Sequence, residues 1–223
     1  MNTQDKRPEE LERIYSQRFD AMKEYRDKVW KILTGQFFQK FMPPDAHVLD
    51  LGCGYGEFIN NIDVAKKCAM DLNPAVRQHL HSGITLFQQD CSAYWPLPDN
   101  CLDIVFTSNF FEHLPDKTTL DSTLAEALRC LKPGGKLIAM GPNIRLIPSA
   151  YWDFYDHYLP LSDLSLAEGL AKSGYKIEKC FSRFLPYTMA RGRRVPVCFV
   201  KLYIMLPFLW KLKGRQFLII AVK

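Results

Sequence analysis

The sequence has no C-x-x-C pair, no internal repeat, no low-complexity tract, and no uninterrupted apolar run of the ~18 residues that suggest a membrane span. Each absence removes a class. The seven cysteines (Cys53, Cys68, Cys91, Cys101, Cys130, Cys180 and Cys198) are odd in number and scattered. They read as reduced thiols of a cytoplasmic protein, and neither a disulfide framework nor a metal cluster is expected. The nearest approach to a span, Val195 to Trp210, is broken by Lys201 and Pro207. The opening MNTQDKRPEELERIY is polar and charged and does not read as a secretion signal. A strong charge imbalance is also missing. The 29 basic and 24 acidic residues leave +5, which permits an anionic partner without demanding one. The basic residues do not interleave with aromatics as in a nucleic-acid module, so nucleic acid is not an expected partner.

What is present suits a single domain spanning 1–223: 223 residues, 48% hydrophobic, with both charge signs mixed. Helical periodicity runs from Glu9 to about Met42, through Leu11, Tyr15, Phe19, Met22, Val29, Trp30, Leu33 and Phe37, making residues 1–43 a helical cap closed by Pro43-Pro44-Asp45. Strands and helices then alternate. Strands are expected at His47–Leu51, Cys68–Asp71, Ile84–Phe87, Leu102–Phe106, Lys136–Met140, Tyr175–Phe184 and Gln216–Val222. Helices are expected at Gly56–Ile62, Pro74–His81, Thr118–Leu131 and Leu164–Lys172. Such alternation means crossover units on a parallel sheet with helices on both faces.

The densest chemical signal is Val48-Leu49-Asp50-Leu51-Gly52-Cys53-Gly54-Tyr55-Gly56-Glu57. A strand ends in a carboxylate, then in a glycine turn. Glycine lets the backbone take positive φ and approach a ligand closely. The pyrophosphate fingerprint G-x-G-x-x-G would place its third glycine at position 57, where this chain has Glu57. Asp50 would also oppose a pyrophosphate, whereas it suits a ligand carrying an ammonium or a sulfonium. The turn therefore favours S-adenosylmethionine over a nicotinamide dinucleotide.

The run VLDLGCGYGEF resembles the first motif of class I S-adenosylmethionine-dependent methyltransferases. The resemblance extends over roughly Val48 to Met140. It implies a Rossmann-like, doubly wound α/β sheet of seven mostly parallel strands with an antiparallel last strand. It also implies a cofactor site made of Asp50, Gly52, Cys53, Gly54, Tyr55 and Gly56. Asp71 would take the ribose hydroxyls, since a carboxylate accepts two hydrogen bonds. Leu72 would touch adenine, Asp90 would accept from its amino group, and Cys91 would lie beside it. Ser108 and Asn109 would underlie the methionine moiety. Arg18, with Tyr15, would close over the cofactor from the N-terminal cap. Asp103, at the start of the fourth strand, reads as structural.

The acceptor is narrowed by elimination. The N-P-P-Y-like motif of enzymes that methylate adenine or glutamine amino groups is replaced by Ser108-Asn109-Phe110-Phe111. The Pro-Cys nucleophile of cytosine enzymes is missing there, and no acidic cluster of the metal-dependent catechol type can be assembled. A small molecule, a glycan or a lipid-linked acceptor remains, methylated most simply on oxygen with a histidine base. His157 and His113 are the candidates, and Tyr151, Trp152 and Tyr155 would wall the acceptor pocket. Two rival readings stand beside this one: a non-catalytic S-adenosylmethionine-binding regulatory or partner subunit, and a nicotinamide-dependent enzyme on a similar sheet.

Residues 186–214 form an unusually long connection between the sixth and seventh strands. It holds Arg191, Arg193 and Arg194, then a stretch rich in Leu, Phe, Tyr and Trp flanked by Lys201, Lys211 and Lys213. Three roles are open: packing on the domain or its pocket, peripheral contact of 191–213 with a membrane surface, and contact with a second copy.

Overall fold

The apolar runs become strands because their residues alternate between two cores. The computed structural model describes Arg13, residues 20–187 and residues 194–223. Seven strands form one sheet in the order β3-β2-β1-β4-β5-β7-β6. They are β1 (His47–Leu51), β2 (Lys66–Met70), β3 (Thr85–Phe87), β4 (Leu102–Ser108), β5 (Leu131–Pro142), β6 (Lys176–Phe181) and β7 (Gln216–Val222). Strands β1 to β5 pair in parallel, and β7 lies antiparallel between β5 and β6. Among the described residues, five α-helices with both ends defined accompany them: α1 (Lys23–Leu33), α2 (Lys117–Cys130), α3 (Asp163–Lys172), α4 (Val197–Met205) and α5 (Pro207–Lys213).

Period-two alternation divides the sheet's side chains. Leu49, Leu51, Val105, Ile219 and Ala221 face a core closed by α2 and α3, where Leu124, Leu166 and Leu170 are buried. Val48, Ile104, Phe106, Leu218 and Ile220 face the other core, closed by α1, α4 and α5. That second core is aromatic: the rings of Phe58 and Phe106 stack with centroids 3.6 Å apart, and Phe37, Phe184 and Trp210 meet edge-on or tilted. Each such buried side chain contributes about 1.5–3 kcal/mol.

Several helices are shorter than their sequence pattern suggests. Residues 57–61 form turns, held by the Asn60 N–H donating to the Gly56 carbonyl at 2.9 Å. The expected helix over 74–81 is a 3-10 turn, Pro74–Gln78, capped by the Asn73 side chain accepting from the Ala75 N–H. The described part of the N-terminal helix is not uniform: a π turn, Thr34–Phe38, and a 3-10 turn, Gln39–Phe41, follow α1. Thr34 donates its hydroxyl back to the Trp30 carbonyl at 2.8 Å, which loosens the regular ladder there. Strand β5 begins earlier than expected because Leu131 already pairs with Leu102, and the register shifts before Ile104 meets Lys136.

Asp103 is tied structurally. It accepts the His47 N–H at 2.8 Å and the Lys132 ammonium at 2.7 and 2.8 Å. Tyr15, Arg18, Arg191 and Arg193 lie outside the described residues.

Candidate active site

The chain order reverses direction across the sheet between β1 and β4, which opens a crevice at their carboxyl ends. A cavity of about 250 Å³ lies there. Asp50, Gly52, Cys53 and Gly54 line it from β1 and its turn, and Ser108, Asn109, Glu112 and His113 from the end of β4.

Asp50 is the sharpest feature. It is 2% exposed. A backbone hydrogen bond from Ile59 reaches its carboxyl group, yet Oδ2 has no hydrogen-bond partner among the described residues. Burial, with Glu57 and Asp71 nearby, pushes its pKa well above the usual carboxylate range. An acceptor left unsatisfied in this way calls for a donor or cation from a ligand. The ammonium and sulfonium of S-adenosylmethionine fit that need.

The turn that follows is shaped by positive φ at Gly52 (68°), Gly54 (52°) and Gly56 (73°). A Cβ on Gly52 would collide with the ring of Phe110. Gly52→Ala should therefore destabilise the protein by about 2–4 kcal/mol, from backbone strain plus overpacking. Thermal unfolding checks this, and an unchanged melting temperature would mean that Phe110 does not press on the turn.

The turn is tied to β2 through Asp71, which accepts the Gly54 N–H and the Asn73 N–H, both at 2.9 Å. Burial raises the Asp71 pKa despite those bonds. Asp71, the exposed Leu72 and Asp90 follow β2 and β3 along the same edge of the sheet, outside the lining of the cavity. Asp90 accepts from both the N–H and the hydroxyl of Ser92 at 2.7 Å. Tyr55 is buried against the His79 ring, centroids 4.0 Å apart, and neither it nor the buried Gly56 lines the cavity. Cys91 departs from expectation. Its side chain turns into the core, where Thr123 donates to its sulfur at 3.2 Å and burial pushes the thiol up to about 12.

Arg26 of α1 reaches the cavity that Arg18 was expected to cover. Its Nε lies 2.6 Å from the Glu57 carboxylate, with both side chains 13% exposed. Helical periodicity placed α1 over the crevice but did not single out this arginine. Asn109 adopts φ +50° and donates its backbone N–H to the Met140 carbonyl at 2.8 Å. Its Nδ2 donates to the Ser108 hydroxyl at 3.0 Å. Asparagine is one of the few non-glycine residues that visit that region readily.

His113 and His157 are brought together, as their separate loops did not reveal. The Glu112 carbonyl accepts the N–H groups of Tyr158 and Leu159 at 2.9 and 3.1 Å, fastening the loop after β5 to the loop after β4. The two imidazoles then sit 4.9 Å apart, edge to face, and His157 stacks on Phe154. His113 Nδ1 meets the Asp156 carbonyl at 2.9 Å and its carboxylate at 3.2 Å. One side-chain N or O atom from each of Glu112, His113 and His157 lies within 4.8 Å of the other two. With His113 held by Asp156, these titratable side chains stand together at the cavity. Burial raises the Glu112 pKa to about 7. Burial opposes charge on His113, but Asp156 and Glu112 outweigh it and leave its pKa above the ordinary value.

The expected aromatic wall needs correcting. Tyr151 is fully buried and donates its hydroxyl to the Leu159 carbonyl, while Trp152 and Tyr155 point to solvent. The cause is the 3-10 turn Ala150–Asp153, whose period of three sends residues 150 and 153 to the cavity instead. Phe154, Leu185 and Tyr187 complete that side, with Leu33 and Met140 beyond.

Residues 49–139 match the family described as a methyltransferase domain. Residues 49–139 thus carry the sequence pattern of a methyltransferase domain, and the sheet around them has the class I methyltransferase fold. The chain is 27% identical over 182 residues to a demethylmenaquinone methyltransferase of Symbiobacterium thermophilum, covering 70% of this chain and 71% of that one. It is 29% identical over 129 residues to a 2-methyl-6-phytyl-1,4-hydroquinone methyltransferase of a Synechocystis species, covering 50% of this chain and 38% of that protein. Among solved structures, a SAM-dependent methyltransferase from Archaeoglobus fulgidus superposes with a TM-score of 0.66 at 22% identity, covering 92% of this chain and 99% of that one. The methyltransferase domain thus spans the glycine turn, the Asp71 edge and the Glu112–His113 loop. Family and fold make S-adenosylmethionine its cofactor class, in agreement with the unsatisfied Asp50.

Proposed function

We propose that this methyltransferase acts on an apolar, hydroxyl-bearing acceptor of the phenol or hydroquinone class. The Glu112–His113–Asp156–His157 cluster would take up the hydroxyl proton. The observation that carries this reading is the grouping of Glu112, His113 and His157, three titratable side chains that line the same cavity as Asp50 and the glycine turn.

When bound, S-adenosylmethionine supplies a methyl group on a sulfonium sulfur, which leaves as a neutral thioether. Asp50 holds the positively charged end, and Arg26 stands opposite it on α1. Ser108 and Asn109 support the cavity floor. Leu33, Met140, Phe154 and Leu185 offer an apolar surface to the acceptor. Deprotonating a ring hydroxyl raises the nucleophilicity of its oxygen and of the adjacent ring carbons, so the same base serves O- or C-methylation. The names of two relatives, one for a menaquinone precursor and one for a hydroquinone, support this acceptor class.

Methyl-labelled S-adenosylmethionine, incubated with the protein and a cell extract and then partitioned between organic and aqueous phases, tests the proposal. Label should enter the organic phase. Label confined to the aqueous phase would overturn the apolar acceptor. Binding of S-adenosylmethionine with no transfer in any extract would favour a non-catalytic partner subunit.

A further inference from the structure

No acidic residue follows Glu178, whereas ten Lys and Arg lie between Lys179 and Lys223. The whole chain carries only +5, so the excess positive charge is concentrated in this last part and the remainder is net acidic. Within it, α4 and α5 settle one of the open roles of the long connection. Ile204 and Trp210 are buried, and the Trp210 indole packs against Phe37, Phe181 and Phe184. Tyr203 donates its hydroxyl to the Phe184 carbonyl at 2.6 Å, and Trp210 donates to the Tyr203 carbonyl at 2.9 Å. The inner face is therefore core.

The outer face is not polar, as an ordinary surface helix would be. Phe199, Leu202, Met205, Phe208 and Leu212 are 48% to 64% exposed. Lys201, Lys211 and Lys213 are exposed among them. We infer that the outer face of α4 and α5 docks on an anionic lipid bilayer, with the apolar side chains in the headgroup–acyl boundary and the lysines on lipid phosphates.

Charge selects this occupant. A second copy meeting the same patch across a two-fold axis would bring the lysines against one another. An anionic bilayer satisfies the apolar and the cationic side chains together, which is the composition of interfacial helices. The placement also connects to the cavity. Leu185, just before the connection, Tyr187, at its start, and Gln216, just after it, all line the cavity. The stems are clamped where the Arg215 and Gln216 N–H groups donate to the Leu185 carbonyl at 2.7 and 2.9 Å. A docked face would thus hold the cavity close to the lipid. The docking itself does not depend on which acceptor the cavity takes.

Flotation with vesicles of phosphatidylcholine alone, and of phosphatidylcholine mixed with phosphatidylglycerol, tests the inference. The wild-type chain should float with the mixed vesicles, not with phosphatidylcholine alone, and should be released as salt rises. The triple variant Lys201→Glu, Lys211→Glu, Lys213→Glu should lose roughly a hundredfold in partitioning. The pair Phe208→Ser, Leu212→Ser should lose at least about tenfold. Both variants should melt with the wild type, because all five side chains point outward. The salt series needs no variant, so it decides the matter even if a variant folds poorly. Failure of the wild type to float with anionic vesicles, or binding indifferent to salt, would overturn the inference. So would a dimer in sedimentation velocity that Phe208→Ser, Leu212→Ser dissolves without any vesicle binding.

Discussion

Asp50→Asn should weaken the binding of S-adenosylmethionine by about ten- to a hundredfold while leaving the ligand-free protein at least as stable. The first effect follows from losing a buried charge-assisted contact, about 1.5–3 kcal/mol. The second follows from the state of the carboxylate without ligand: 2% exposed, with Oδ2 unsatisfied. Its pKa is raised by burial and by the Glu57 carboxylate. The sign is then fixed. Below the ordinary carboxylate pKa of about 3.9 both folded and unfolded chains hold the proton, and the site costs nothing. As pH rises above that value the unfolded chain ionises freely and the folded chain does not, so stability is lost. Asparagine removes that penalty at neutral pH, so the variant should melt no lower than the wild type. Calorimetric titration and thermal unfolding at pH 7.5 and at pH 4 (about neutral and about the carboxylate range) measure both effects. A variant that is destabilised at neutral pH and still binds normally would show that Asp50 is a structural residue.

Turnover should rise with pH through an apparent pKa near 7, and Glu112→Gln should flatten that profile while lowering turnover by about 10²–10⁴-fold. Burial raises the Glu112 pKa to about 7, with His113 acting in the opposite direction and Asp156 adding to the rise. The proton is therefore lost near neutrality, and the ionised cluster is the form able to accept one. Because Glu112, His113 and Asp156 are in contact, the profile reports the cluster as a unit. The same raised pKa means that the folded state loses stability as pH climbs from the ordinary carboxylate range through about 7, a loss that glutamine abolishes. Affinity for S-adenosylmethionine, set at the Asp50 end, should stay within about twofold of wild type. A pH profile retained in Glu112→Gln but lost in His157→Gln would transfer the base to His157. A profile flat in the wild type would remove the cluster from the chemistry.

The sheet was legible in the sequence because buried strands must be apolar and glycine-closed, and each of the seven expected strands overlaps an observed one. The turn after β1 was legible because three closely spaced glycines follow a carboxylate and the downstream motifs keep their order and spacing, and the structure gives all three glycines positive φ. Helices beside that turn were less legible. Residues 56–62 carry helical spacing, but the ligand-side turn is short and Asn60 and Asn61 divert hydrogen bonds to the His79 and Glu57 carbonyls. The acceptor side was the least legible. Arg26 comes from α1, Glu112 and His113 from the loop after β4, and Phe154 and His157 from the loop after β5. Nothing local in those segments announces that the Tyr158 and Leu159 N–H groups will fasten on the Glu112 carbonyl. Tyr151, Trp152 and Tyr155 were expected at the pocket because aromatics near a sheet's carboxyl edge suggest a wall. A single 3-10 turn was enough to give that place to Ala150, Asp153 and Phe154.

The central claim is that Asp50 and the glycine turn bind S-adenosylmethionine. Equilibrium titration of the wild-type chain and Asp50→Asn with S-adenosylmethionine, and with a nicotinamide dinucleotide as control, tests it most directly. The expected result is saturable binding of S-adenosylmethionine to one site, weakened by about ten- to a hundredfold in the variant, and no binding of the dinucleotide. Failure of the wild type to bind S-adenosylmethionine, or tighter binding of the dinucleotide, would contradict it.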